Sequence, residues 1–126
     1  MSKIQLSPYV NFQGRAREAM QFYQSALGGT LDLQTGPGER VGVARLEADG
    51  AVIIGSDGHP DYPAKAGDNL AIGLSGTDRD RLTRAFHALG EGGKIQMPLA
   101  AQSGGVEVGW LRDKFGISWT VNIGKA

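Results

Sequence analysis

A short internal repeat constrains this chain more than any other feature. The triplet Ala26-Leu27-Gly28 returns as Ala88-Leu89-Gly90, an offset of 62 residues (88 minus 26) in a chain of 126. At the same offset Val10 falls on Ile72. Only two copies are present, which points to a duplicated supersecondary unit and away from a solenoid. Each local pattern therefore has to find a place in one copy or the other.

In the first copy, Ile4, Leu6, Pro8, Val10 and Phe12 alternate with mostly polar neighbours. This predicts a strand from Lys3 to Phe12, with Pro8 marking an edge or an irregularity. Ala16, Ala19, Met20, Tyr23, Ala26 and Leu27 recur at helical spacing, and Gly28-Gly29 stops the helix. Strands are then predicted at Thr30–Thr35, Val41–Ala48 and Ala51–Gly55. Gly36-Pro37-Gly38 turns the chain after the first of these. Asp49-Gly50 is a two-residue hairpin signal, because both central positions of a type I′ turn need positive φ.

The order repeats in the second copy. A strand is predicted at Asn69–Ser75, and Thr77 with Asp80 forms a capping box. Leu82, Ala85, Phe86 and Leu89 then make an apolar helix stripe closed by Gly90. Strands at Ile95–Leu99, Val106–Arg112 and Ile117–Ile123 complete the copy, the last two joined at Phe115-Gly116. The expected fold is α+β: two tandem βαβββ repeats whose curled mixed sheets, each with a helix on its outer face, surround a cleft. The chain reads as one domain over 1–126, with repeat one at about 3–56, a linker at about 57–68 and repeat two at about 69–123.

Composition excludes several classes of function. Thirteen Lys and Arg balance thirteen Asp and Glu. A neutral chain offers no clustered cations for a nucleic-acid backbone. With no cysteine there is no disulfide, thiolate metal site, Fe–S cluster or cysteine nucleophile. The start has no apolar run of signal-peptide length, and no stretch approaches the ~20 apolar residues of a membrane helix. A cytoplasmic protein with neither a nucleic-acid nor a membrane partner is expected.

Several segments resemble a known family. Pro8-Tyr9-Val10-Asn11-Phe12-Gln13-Gly14, Glu18-Ala19, Phe22-Tyr23, Leu27-Gly28-Gly29 and Ile54-Gly55-Ser56-Asp57 are similar to the first half of PhnB-like proteins. Gly109 to Thr120, with Trp110, Arg112, Phe115-Gly116 and Trp119, resembles their closing hairpin. These proteins form a branch of the vicinal oxygen chelate superfamily, which includes glyoxalase I and the bleomycin resistance proteins. Such sequences are often labelled 3-demethylubiquinone methyltransferase-like. A dedicated S-adenosylmethionine site normally uses a doubly wound parallel sheet with a Gly-rich turn, and this chain has no such rhythm.

The resemblance implies a glyoxalase fold and positions for metal ligands. In the superfamily's enzymes His and Glu (or Gln) on the first and last strands of each repeat hold a divalent ion. Carried over, those positions fall near Pro8 or Val10, at Ile53–Gly55, at Asn69 and at Thr120. None offers an imidazole or a carboxylate, so neither a metal nor another cofactor is expected.

Tyr9, Asn11, Phe12, Asn69, Trp119 and Thr120 are candidates for the pocket lining, with Trp110, Asp57 and His59 as further ligand contacts. Strand alternation lets only about half of them face inward. The two tryptophans serve equally well as core or as dimer contacts. His59 reads as a loop residue before a cavity donor, and His87 as a surface group on its helix. Ser56, Asp57 and His59 are too crowded in one loop to form a triad. The expected function is metal-free binding of a small, largely apolar organic molecule by a homodimer. The alternatives are a metal-dependent lyase, isomerase or dioxygenase with relocated ligands such as Asp57, His59 and Glu107, and a dimeric interaction module. No catalytic residue is assigned.

Overall fold

The structure is a computed structural model that describes residues 5–61, 63–65, 67, 69–102 and 104–124. The chain divides into two compact units, Met1–Lys65 and Ala66–Ala126.

The first unit runs β1 (Tyr9–Asn11), α1 (Ala16–Leu27), β2 (Thr30–Thr35), β3 (Val41–Ala48) and β4 (Ala51–Ser56), with a short 3-10 turn at Pro37–Glu39. Its sheet has the order β1-β4-β3-β2, with β1 parallel to β4 and the other pairs antiparallel. The expected first strand was longer. Pro8 lies outside the ladder as a strand residue, although its carbonyl still accepts from Ile54 N–H at 2.9 Å. The expected start at Lys3 and Ile4 lies outside the described residues. Asp49 and Gly50 take φ of 52° and 82°, as the predicted β3–β4 turn requires.

The second unit repeats the plan: β5 (Ile72–Gly76), α2 (Arg79–Gly90), β6 (Lys94–Ala101), β7 (Glu107–Arg112) and β8 (Ser118–Ile123). The sheet order is β5-β8-β7-β6, again with one parallel pair, β5 with β8. Both units are therefore βαβββ units with mixed four-stranded sheets. Two local expectations are corrected. The cap of α2 is Asp78, whose carboxylate accepts from Arg81 N–H at 3.2 Å, in place of Thr77. Gly90 is the last helical residue, and Glu91 forms the C-cap.

In each unit the helix covers one face of its sheet. Ala16, Ala19, Met20 and Tyr23 of α1 are fully buried, and the Tyr23 ring packs 5.9 Å from Phe12. Gly55 marks the covered face, because a Cβ there would lie 2.7 Å from the Phe12 ring and 3.0 Å from Met20 Sδ. Gly109 does the same in the second unit, where an added Cβ would lie 2.7 Å from the Phe86 ring of α2. These two close approaches fix which residues face the helices, since neighbours along a strand point to opposite sides.

Candidate functional site

The uncovered face of the first sheet follows from its register. Gly55 pairs with Val10, so these two point toward α1. Tyr9 pairs with Ile54 and Asn11 with Ser56, so these four share the opposite face along the β1–β4 seam. Tyr9 is 63% exposed, and its hydroxyl donates to Ser56 Oγ at 2.9 Å. Ser56 is buried and also accepts from Gly58 N–H at 3.2 Å. Arg45 and Glu47 lie further out on the same face, paired with each other at 3.8 Å.

In the second unit Gly109 pairs with Val121, which places Leu111, Trp119 and Ile123 on the covered side with them. Trp110 and Thr120 pair with each other on the uncovered face, in line with Gly73 and Met97. Trp110 is 51% exposed. Trp119 is 2% exposed, and its indole N–H donates to Asp113 Oδ2 at 2.9 Å.

The nine candidate residues thus separate. Tyr9 and Asn11 sit together on the first uncovered face, and Trp110 and Thr120 on the second. Phe12 and Trp119 belong to the core instead, because each is one step out of phase with the uncovered side. Asn69 lies ahead of β5 in an exposed segment. Asp57 and His59 follow β4, at a hollow of about 240 Å³ lined by Asn11, Gln13, Arg40, Asp57, His59 and Pro60 among others. Asp57 is a structural staple. Its Oδ1 accepts from Ala16 N–H at 2.9 Å, at the start of α1, and its Oδ2 from Val41 N–H at 2.8 Å, at the start of β3. Sequence reasoning missed Ser56 as the partner that orients Tyr9, and Arg40 as a lining residue of the hollow. Ser56 stands in the Ile54-Gly55-Ser56-Asp57 segment, but its pairing with Tyr9 has no local signal, and Arg40 lies in no motif.

The same register tests whether the residues present suit the superfamily's divalent ion. Val10, Ile53 and Gly55 face α1. On the uncovered side of the same strands stand Tyr9, Asn11, Ile54 and Ser56, and Thr120 occupies the last-strand position in the second unit. None is an imidazole or a carboxylate. Among the described residues, no three His, Asp or Glu side chains converge in a way that could hold a metal ion. Glu107 faces the α2 side and pairs with Arg79 of that helix. These residues do not fit an ion held as the enzymes hold it. No helix among the described residues is long and apolar enough to cross a membrane.

Comparison with known proteins agrees with this architecture. The family model described as 3-demethylubiquinone-9 3-methyltransferase matches residues 4–122. Protein PA1353 from Pseudomonas aeruginosa is 33% identical with a TM-score of 0.88, covering 98% of this chain and all of that one. A PhnB protein from Bacillus cereus shares 23% identity with a TM-score of 0.78, over 95% of this chain and 99% of its own. A glyoxalase/bleomycin resistance protein from Albidiferax ferrireducens T118 shares the fold at 16% identity, with a TM-score of 0.65 over 94% of this chain and 95% of that one. The duplicated βαβββ plan and these similarities together make the chain a member of the 3-demethylubiquinone-9 3-methyltransferase family, with the fold of the glyoxalase/bleomycin resistance protein.

Proposed function

We propose that this protein binds a small, largely apolar organic molecule on an uncovered sheet face, without a divalent ion at the superfamily position. One observation carries the reading. The side chains on the uncovered side of the strands that hold the metal in the enzymes are neutral: Tyr9, Asn11, Ile54 and Ser56 in one unit, Thr120 in the other. A ligand site of this composition recognises shape and a few hydrogen bonds, not charge. Each sheet supplies one exposed ring suited to stacking, Tyr9 on the first and Trp110 on the second. Each also supplies one polar group beside that ring, the Asn11 amide on the first and the Thr120 hydroxyl on the second. Homodimerisation belongs to the same proposal, because exposed Leu6, Val43 and Leu70 are the kind of apolar surface that a second subunit shields; a cytoplasmic location is proposed alongside it.

The test uses a neutral apolar fluorophore, N-phenyl-1-naphthylamine, titrated into the full chain in the presence of a chelator. The expected result is saturable one-to-one binding that Tyr9→Ala or Trp110→Ala weakens and added Mn²⁺, Ni²⁺ or Zn²⁺ leaves unchanged. Binding that appears only after metal is added, or that neither substitution weakens, would overturn the proposal.

A further inference from the structure

We infer that the hollow at the C-terminal ends of β1 and β4 is a binding site for an oxyanion, a carboxylate or phosphate group, anchored by Arg40. The site shares Asn11 with the proposed ligand face but stands on its own observations, so failure of the apolar-probe experiment leaves it intact.

The case rests on an excess of donors. The hollow holds about 240 Å³, room for a carboxylate or phosphate with a small organic body. Its lining carboxylate, Asp57, has both oxygens engaged by main-chain N–H groups, of Ala16 at 2.9 Å and of Val41 at 2.8 Å. Asn11 Oδ1 accepts from Gln13 N–H at 2.8 Å, which fixes the amide so that Nδ2 is its remaining polar atom, a donor.

Arg40 supplies the charge. Its guanidinium donates to the Gly58 carbonyl, which holds the side chain against the same loop that carries His59. Among the described residues no carboxylate lies within 4.0 Å of it; the ion pairs there involve Arg15, Arg45, His59 and Arg79. A guanidinium has five N–H donors in a planar fork that matches a carboxylate or phosphate edge. The start of α1 contributes little, because Asp57 already occupies the Ala16 N–H. A neutral apolar guest would leave the Arg40 guanidinium and Asn11 Nδ2 unmet, whereas an oxyanion satisfies both at once.

The experiment follows amide and arginine Nε signals of the ¹⁵N-labelled full chain during titration with sodium phosphate and, separately, sodium benzoate, at constant ionic strength. Saturating shifts confined to Gly14, Arg40 and the 57–59 segment are expected. Arg40→Gln should weaken binding roughly tenfold or more, the loss of a charge-assisted contact. Arg40→Lys should retain part of it, and Arg45→Gln, outside the hollow, should leave it unchanged. A preference for phosphate or for benzoate assigns the source of the anion and supports the site either way. Absence of saturation with both anions, or equal weakening by Arg40→Gln and Arg45→Gln, would overturn it.

Discussion

The Tyr9 hydroxyl donates to Ser56 Oγ at 2.9 Å, tying an exposed ring on β1 to a buried side chain of the parallel strand beside it. The bond holds the ring against the β1–β4 seam, where the proposed ligand stacks. Tyr9→Phe keeps the ring and removes the tether, so stability should fall by about 1 kcal/mol at most. N-phenyl-1-naphthylamine should bind about fivefold more weakly, the equivalent of one ordinary hydrogen bond. Denaturant titration and fluorescence binding measure the two effects. Unchanged binding would show that the tether does not orient the ring.

Gly55 lies under α1 with no room for a side chain. A Cβ there would approach the Phe12 ring to 2.7 Å and Met20 Sδ to 3.0 Å, and both neighbours are buried. Gly55→Val should cost about 1–3 kcal/mol through overpacking. Urea unfolding should show a lower midpoint with an unchanged slope.

Asp113 is the corresponding polar knot of the second unit. It is 3% exposed and accepts from the N–H groups of Phe115, at 2.8 Å, and Ile117, at 3.0 Å, and from the Trp119 indole, at 2.9 Å. Asp113→Ala strands three donors and should cost about 3 kcal/mol. Measured in a Trp110→Phe background, Trp119 fluorescence should also change, reporting the lost indole bond. Asp113→Asn, which keeps an acceptor oxygen, should fall between the two.

Much of this fold was legible because its signals are local. The β3–β4 hairpin rests on alternation in Val41–Ala48 and on Asp49-Gly50, whose positive φ values need no distant partner. The helices rest on apolar stripes at Ala16–Leu27 and Leu82–Leu89, which face their sheets as predicted. The slip at the second cap is one residue wide: Thr77 and Asp78 are both competent caps, and Asp is the stronger.

The candidate site was less legible because its parity is decided at long range. Whether Tyr9 or Val10 lies on the uncovered face depends on which side α1 covers, and Gly55, far along the chain, marks that side. The same packing carries Trp119 into the core and leaves Trp110 exposed. Asp57 reads as a ligand contact in sequence, yet its partners, Ala16 and Val41, are 41 and 16 residues away. Nothing in the local sequence signals that its two oxygens hold the backbone together.

The most direct test of the central claim is calorimetric titration of metal-stripped protein with Mn²⁺, Ni²⁺ and Zn²⁺, alongside Thr120→Ala and Ser56→Ala. The neutral strand positions predict no binding tighter than about millimolar, roughly 4 kcal/mol. Micromolar one-to-one binding that either substitution abolishes would contradict the metal-free account and make the oxygen-chelating enzyme the better description.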